Sequence, residues 1–131
     1  MKTLEEVRDI FEKDRFATEN GAVIDEIGEL CAKCSVKIEP KHRNAMGGVM
    51  GGVPFMLADF AFAVASNHEV MSTVSVSSTI TYLNTVKGDS LTAEARCVKD
   101  GRSSCCYEVT VTDSLGRDIA LAVFNGFKVG A

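Results

Sequence analysis

The sequence predicts an α+β domain in which one antiparallel sheet wraps around a single long helix. Three observations carry that expectation. The chain has 131 residues, about one domain's worth, so a single domain over 1–131 is expected. The segment from Val53 to about Ser66 is apolar on all sides, and such a helix must be buried on nearly every face. The second half of the chain reads as strands joined by short turns, which makes antiparallel neighbours.

Each element has its own signal. Thr3 followed by Glu6 is a capping-box pattern, and Val7, Ile10 and Phe11 continue a helical stripe. A first helix is therefore expected over about residues 4–14. A loop through Asn20-Gly21 leads to a strand around residues 29–38, where Leu30, Ala32, Cys34, Val36 and Ile38 alternate with polar positions. Residues 39–52 look irregular and end in glycines. Pro54 suits the first turn of the central helix, with Asn67 and His68 at its C-terminal end. Thr73 to Leu83 is a Ser/Thr/Val-rich strand in which Ser75, Ser77, Thr79 and Thr81 make a polar face. Leu91, Ala93, Ala95 and Cys97 give the next apolar face, and Asp100-Gly101 a hairpin turn. Cys105, Tyr107, Val109 and Val111 come next on one face. After a turn at Asp113 to Gly116, the set Ile119, Leu121, Val123, Asn125, Phe127 and Val129 completes the last strand.

Composition removes several function classes. Lys plus Arg is 14 and Asp plus Glu is 18, so the net charge of −4 lacks the footprint of a nucleic-acid binder. The start, Met1 to Phe11, has no apolar core of a signal peptide. The longest apolar stretch, Val53 to Ala65, is broken by Asp59 and falls short of the ~20 residues of a membrane span. A cytoplasmic protein without membrane attachment is expected. Strand alternation sends Cys31 and Cys34 to opposite faces, and likewise Cys105 and Cys106. These cysteines read as buried reduced thiols rather than as a metal site.

Asp59 is the sharpest chemical feature. Its helical neighbours are Phe55, Met56, Phe62 and Ala63, so an unpaired carboxylate there would have its pKa pushed upward. The alternative is a carboxylate hydrogen-bonded at a subunit contact. Ahead of it, Gly47, Gly48, Gly51 and Gly52 fall at the helix start. Free N–H groups there suit a phosphate or the oxyanion of an attacked carbonyl. The stretch is neither a P-loop nor a GxGxxG fingerprint, and read alone it is equally a connector. Asn44 is placed to orient a water or polarise a carbonyl, whereas His42 suits a structural hydrogen bond. Lys99, Arg102 and Lys128 are cations that could meet a ligand phosphate.

These residues, His42-Arg43-Asn44, Gly47 to Gly52 and Leu57-Ala58-Asp59, resemble the HxN…G…HGG…LAD signature of PaaI-like hotdog-fold acyl-CoA thioesterases. The likeness continues through Tyr82-Leu83, Gly88-Asp89, Gly101-Arg102 and Gly116, over roughly residues 20 to 129. It implies a hotdog fold and hydrolysis of an acyl-CoA thioester to free acid and CoA. Asp59 would be the catalytic carboxylate, as nucleophile or as general base. The Gly51 N–H would bind the thioester oxygen, Asn44 would position the carbonyl or the lytic water, and Ser75 would stand near the carboxylate. His42, Met50, Gly52, Phe55, Lys99 and Arg102 would contact substrate. The resemblance also implies a site shared across a homodimer, with dimers pairing into tetramers, and no cofactor beyond the CoA of the substrate. The family's HGG is Met50-Gly51-Gly52 here, which keeps the backbone donor and replaces the histidine by an adaptable apolar side chain. A non-catalytic acyl-CoA-binding module, a sensor or carrier, is the alternative; it would have no need of Asp59. A dehydratase would want a histidine on the helix, and none stands within it.

Overall fold

Thr3 opens the first helix as its capping box requires: its hydroxyl accepts from the Glu6 N–H at 3.2 Å, and the Glu6 carboxylate accepts from the Thr3 N–H at 2.9 Å. In the computed structural model, which describes residues 1–130, that helix (α1, Leu4–Phe11) ends at Phe11 rather than near residue 14. Ala131, the last residue of the expected domain, lies outside the described residues. Tight bonds from Lys13 and Asp14 back to Ile10 and Phe11 close the helix. The chain then restarts as a short α2 (Arg15–Glu19).

Two strands stand where one was expected: β1 (Val23–Gly28) and β2 (Cys31–Lys37). Glu29 and Leu30 make the turn between them, with Leu30 in the left-handed region at φ 53°. β1 is an edge strand with a register shift between Ile24 and Glu26, and its Asp25-Glu26 pair hides the alternation on which the reading depended. A 3-10 turn (Pro40–His42) leads to the glycine segment and α3 (Gly52–Asn67). Then come β3 (Thr73–Tyr82), β4 (Ser90–Asp100), β5 (Ser104–Asp113) and β6 (Asp118–Lys128). All pairings are antiparallel, in the order β1-β2-β4-β5-β6-β3. Leu57, Ala58, Ala61 and Val64 of α3 are fully buried against this sheet. At the helix end, His68 is buried and its Nε2 bonds the Gly28 carbonyl at 2.7 Å, tying α3 to β1.

Ile119, the first of the alternating set read for this strand, is buried beside a register shift, but beyond it β6 turns the other set inward. Ala120, Ala122, Phe124 and Gly126 face α3, while Leu121 and Phe127 lie outside, 37% and 47% exposed. Size decides this, not hydrophobicity. Phe62 of α3 stacks on Phe124 with ring centroids 5.0 Å apart, so the neighbouring inner positions must be small. The polar face expected on β3 is also divided, because the register shifts between Ser75 and Ser77. Ser75 pairs with Gly126 and falls on the helix side with Ser78, Ile80 and Tyr82, whose partners are Phe124, Ala122 and Ala120. Ser77, Thr79 and Thr81 pair with Asn125, Val123 and Leu121 and face outward.

The cysteines obey the expected alternation. Cys34 and Cys105 are buried, Cys31 and Cys106 are half-buried, and all five are free. Burial pushes the Cys34 thiol well above its usual range. Among the described residues, no helix is long and apolar enough to cross a membrane.

Candidate active site

α3 is not enclosed on all sides. Gly52, Phe55, Met56, Asp59 and Ala63, at helical spacings of three and four, form a stripe left at least partly uncovered. This corrects the expectation of burial on nearly every face. The stripe is the floor of a cleft of about 430 Å³, whose wall is Asp14, Arg15, Phe16 and Ala17 at the start of α2. Asp59 stands in it with no hydrogen-bond or ion-pair partner among the described residues. Partial burial first, and the charge of Asp14 second, hold its carboxyl above the ordinary range. Burial also raises Asp14, which sits at the N-cap of α2 without making a side-chain cap bond. Arg15 does not neutralise either acid by pairing, since its guanidinium is bonded to Glu19.

The glycine segment is a small hairpin rather than a connector. Arg43 bridges Val49, Asn44 N–H donates to the Gly48 carbonyl at 2.7 Å, and Gly47 N–H donates to the Asn44 carbonyl at 3.0 Å. Gly47 takes φ +88°, which favours glycine. The Asn44 side-chain oxygen accepts from the Met46 and Gly48 N–H groups at 3.0 and 3.2 Å. Its amide NH₂ is left to meet a ligand. At the helix start, Val53 N–H donates to the Met50 carbonyl at 2.9 Å and Pro54 has no N–H. The Gly51 and Gly52 N–H groups have no acceptor among the described residues. Two adjacent donors therefore stand open at the positive end of a 16-residue helix.

The two glycines line different spaces. Gly51 and Asn44 line a second cleft of about 650 Å³, with Tyr82, Val86 and Ile119, while Gly52 lines the cleft of Asp59. A single chain does not bring Asn44 and Gly51 into one cleft with Asp59. Phe55 is half-buried in the Asp59 cleft, its ring 5.8 Å from Phe124. Met50 is exposed and its terminal methyl lies against Gly52. Ser75 is exposed on the helix-facing side of β3, and lines neither cleft.

Three residues expected to meet substrate lie outside both of these clefts. His42 is buried; its Nδ1 accepts from the Glu39 N–H at 2.9 Å, so its Nε2 donates to the Asn20 carbonyl at 2.7 Å. Both ring nitrogens are thus spent on holding the loop. Lys99 and Arg102 lie at the β4–β5 turn, beside Lys128, at the end of the sheet away from Gly51. Lys128 itself is engaged by Asp100 and the Gly101 carbonyl. Conversely, two site residues escaped the sequence reading of chemistry. Asp14 is remote in sequence from Asp59. Tyr82 sits at the end of a strand, although it belonged to the stretch of likeness; its hydroxyl donates to the Gly51 carbonyl at 2.7 Å.

Comparison with known proteins bears on this arrangement. A family model described as "Thioesterase superfamily" matches residues 46–120. A protein of Archaeoglobus fulgidus named as an esterase is 34% identical over 128 residues, covering 96% of this chain and 83% of that one. Acyl-coenzyme A thioesterase PaaI of Escherichia coli is 28% identical over 122 residues, 92% of this chain and 87% of that one. The solved structure of the E. coli PaaI protein from the phenylacetic acid degradation operon superposes with a TM-score of 0.86 at 26% identity, covering 98% of each chain. A Streptococcus mutans protein solved bound to acetyl-CoA matches with a TM-score of 0.77 at 30% identity, over 84% of this chain and 90% of that one.

Proposed function

The chain belongs to the thioesterase superfamily, carries the hotdog fold and is a thioester hydrolase; we propose that it cleaves an acyl-CoA to the free carboxylic acid and CoA at a site shared between two copies. The observation that carries this reading is Asp59: an unpaired carboxylate with a raised pKa, in an open, largely apolar cleft beside an N–H of the helix start. A raised pKa makes a stronger base, and its unpaired state leaves it free to work on water or on the thioester carbon.

In the general-base form, Asp59 takes a proton from water as the oxygen attacks the thioester carbonyl. The electron pair of the C=O moves to oxygen, and the N–H groups of the helix start stabilise the charge. Collapse of the tetrahedral species breaks the C–S bond, and Asp59 returns the proton to the CoA thiolate. In the nucleophile form, the carboxylate attacks directly, CoA leaves, and water hydrolyses the resulting anhydride. Asn44 would donate from its free amide to the carbonyl or to the water. Phe55 and Met50 would line the acyl pocket, and Ser75 would stand beside the carboxylate. Lys99 and Arg102, distant from Gly51 in their own chain, would reach a CoA phosphate only from a neighbouring copy.

Two features support the two-copy site. Asp59 and the Asn44–Gly51 pair occupy separate clefts of one chain. β3 is a ten-residue edge strand without a single charge or proline, which leaves its backbone open to pair with a second β3 about a twofold axis. Such dimers would pair again into tetramers. The free thiols suit a reducing cytoplasm. Thiol release from a panel of short, medium, long and aryl acyl-CoAs tests the reading. Asp59→Asn is expected to lower turnover of the best substrate by roughly 10²-fold or more. Undiminished hydrolysis by that variant overturns the role of Asp59. Tight binding across the panel without turnover by the wild-type chain would make it a binding module.

A further inference from the structure

Of the two open N–H groups at the helix start, one belongs to a peptide held by the helix itself. The Met50 carbonyl accepts from Val53 N–H at 2.9 Å, which fixes the Met50–Gly51 peptide and hence the Gly51 N–H. The other peptide, Gly51–Gly52, is held differently. Its carbonyl receives only a long bond from Phe55 N–H, at 3.4 Å, and its short partner is the Tyr82 hydroxyl at 2.7 Å. Tyr82 is the last residue of β3, far along the chain, and by register it projects from the helix-facing side of that strand. Its ring lies directly on Gly51: a Cβ there would stand 3.2 Å from both Cζ and Oη, tighter than ordinary contact.

A trans peptide is rigid and planar, so its C=O and N–H point in opposite directions. Fixing the Gly51 oxygen therefore fixes the direction of the Gly52 N–H. The two ends lie on opposite sides of the helix start: Gly51 lines the Asn44 cleft, and Gly52 lines the Asp59 cleft. An O–H donated into the carbonyl also polarises the peptide and strengthens its N–H as a donor. We propose that Tyr82 is a positioning residue: by holding and polarising the Gly51–Gly52 peptide, it makes the Gly52 N–H an oxyanion donor in the Asp59 cleft, complementing the Gly51 N–H that a second copy brings to the shared site. The inference rests on the thioesterase reading above. It explains why residue 51 is glycine in terms of Tyr82, whose ring occupies the space of a side chain.

Tyr82→Phe keeps the ring and removes the hydroxyl. The expected result is a fall in kcat of about tenfold, smaller than the loss of a whole oxyanion donor, with KM within about twofold. The second readout is the carbonyl stretching frequency of acetyl-CoA, isotopically labelled at its carbonyl carbon, bound to Asp59→Asn protein. Donors to the oxygen lower that frequency, and adding Tyr82→Phe should return part of the shift. A variant with wild-type kcat and an unchanged frequency overturns the role of Tyr82. So does a rise in KM at constant kcat, which would make the hydroxyl a substrate contact. If the wild-type chain hydrolyses no acyl-CoA, the catalytic reading fails instead. The frequency comparison then still decides whether Tyr82 sets the donor.

Discussion

Gly126→Ala probes the crowding that turns β6 toward the helix. Gly126 pairs with Cys105 on one side and with Ser75 on the other, directly under Phe62. A methyl group at this position would meet Thr73 Cγ2 at 2.7 Å, Cys105 Sγ at 2.8 Å and Phe62 Cζ at 3.2 Å. The ring cannot simply retreat, because it stacks on Phe124 at 5.0 Å and meets Tyr107 edge-on at 5.4 Å. Overpacking of this kind costs about 1–3 kcal/mol, against ~0.5–1 kcal/mol regained by replacing glycine within a strand. The net loss is about 1–2 kcal/mol, or roughly 3–10 °C in Tm for a domain of this size. Thermal and urea unfolding at one fixed protein concentration read it. Adding Cys105→Ala removes one of the two closest atoms, so the double variant should lose less than the sum of the single changes. A Gly126→Ala protein as stable as the parent, with losses that merely add, would refute the argument that helix proximity sets the inner face of β6.

Two further outcomes concern the site. His42→Ala strips partners from the Glu39 N–H and the Asn20 carbonyl and leaves a void, so it should cost about 2–4 kcal/mol in urea unfolding while kcat per folded molecule is kept. Lost turnover at unchanged stability would return His42 to the substrate. As base or nucleophile, Asp59 would act only when deprotonated; its pKa is raised by burial and then by the charge of Asp14, so activity is expected to fall as pH drops through that raised value. Asp14→Asn removes the neighbouring charge and lowers the pKa; the acid limb of kcat/KM against pH should move to lower pH, and a limb that stays or rises contradicts the pairing.

Where hydrophobicity and facing agreed, the sequence was a sufficient guide. Ala32, Cys34 and Val36 of β2 and Cys105, Tyr107, Val109 and Val111 of β5 all point inward as their alternation predicts. β6 misleads because its inner positions, Ala120, Ala122 and Gly126, are chosen for size, so the outer Leu121, Val123 and Phe127 look more core-like. β1 hides behind Asp25-Glu26, and the bulge in β3 cannot be read from a run of Ser, Thr and Val. The site divides in the same way. Asp59 and the glycines are legible because they lie on one helix and the turn before it. Asp14 and Tyr82 reach that helix from distant segments, and only the folded chain brings them there.

Mixing two inactive variants tests the shared site most directly. Asp59→Asn keeps Asn44 and Gly51, and Asn44→Ala keeps Asp59. If the site is shared between two copies, co-refolding in equal amounts gives mixed dimers as half of the total, each with one intact site of two, so about a quarter of wild-type activity should return. If Asp59, Asn44 and Gly51 instead act within one chain, every site in the mixture carries a defect, and no activity above that of the separate variants would appear.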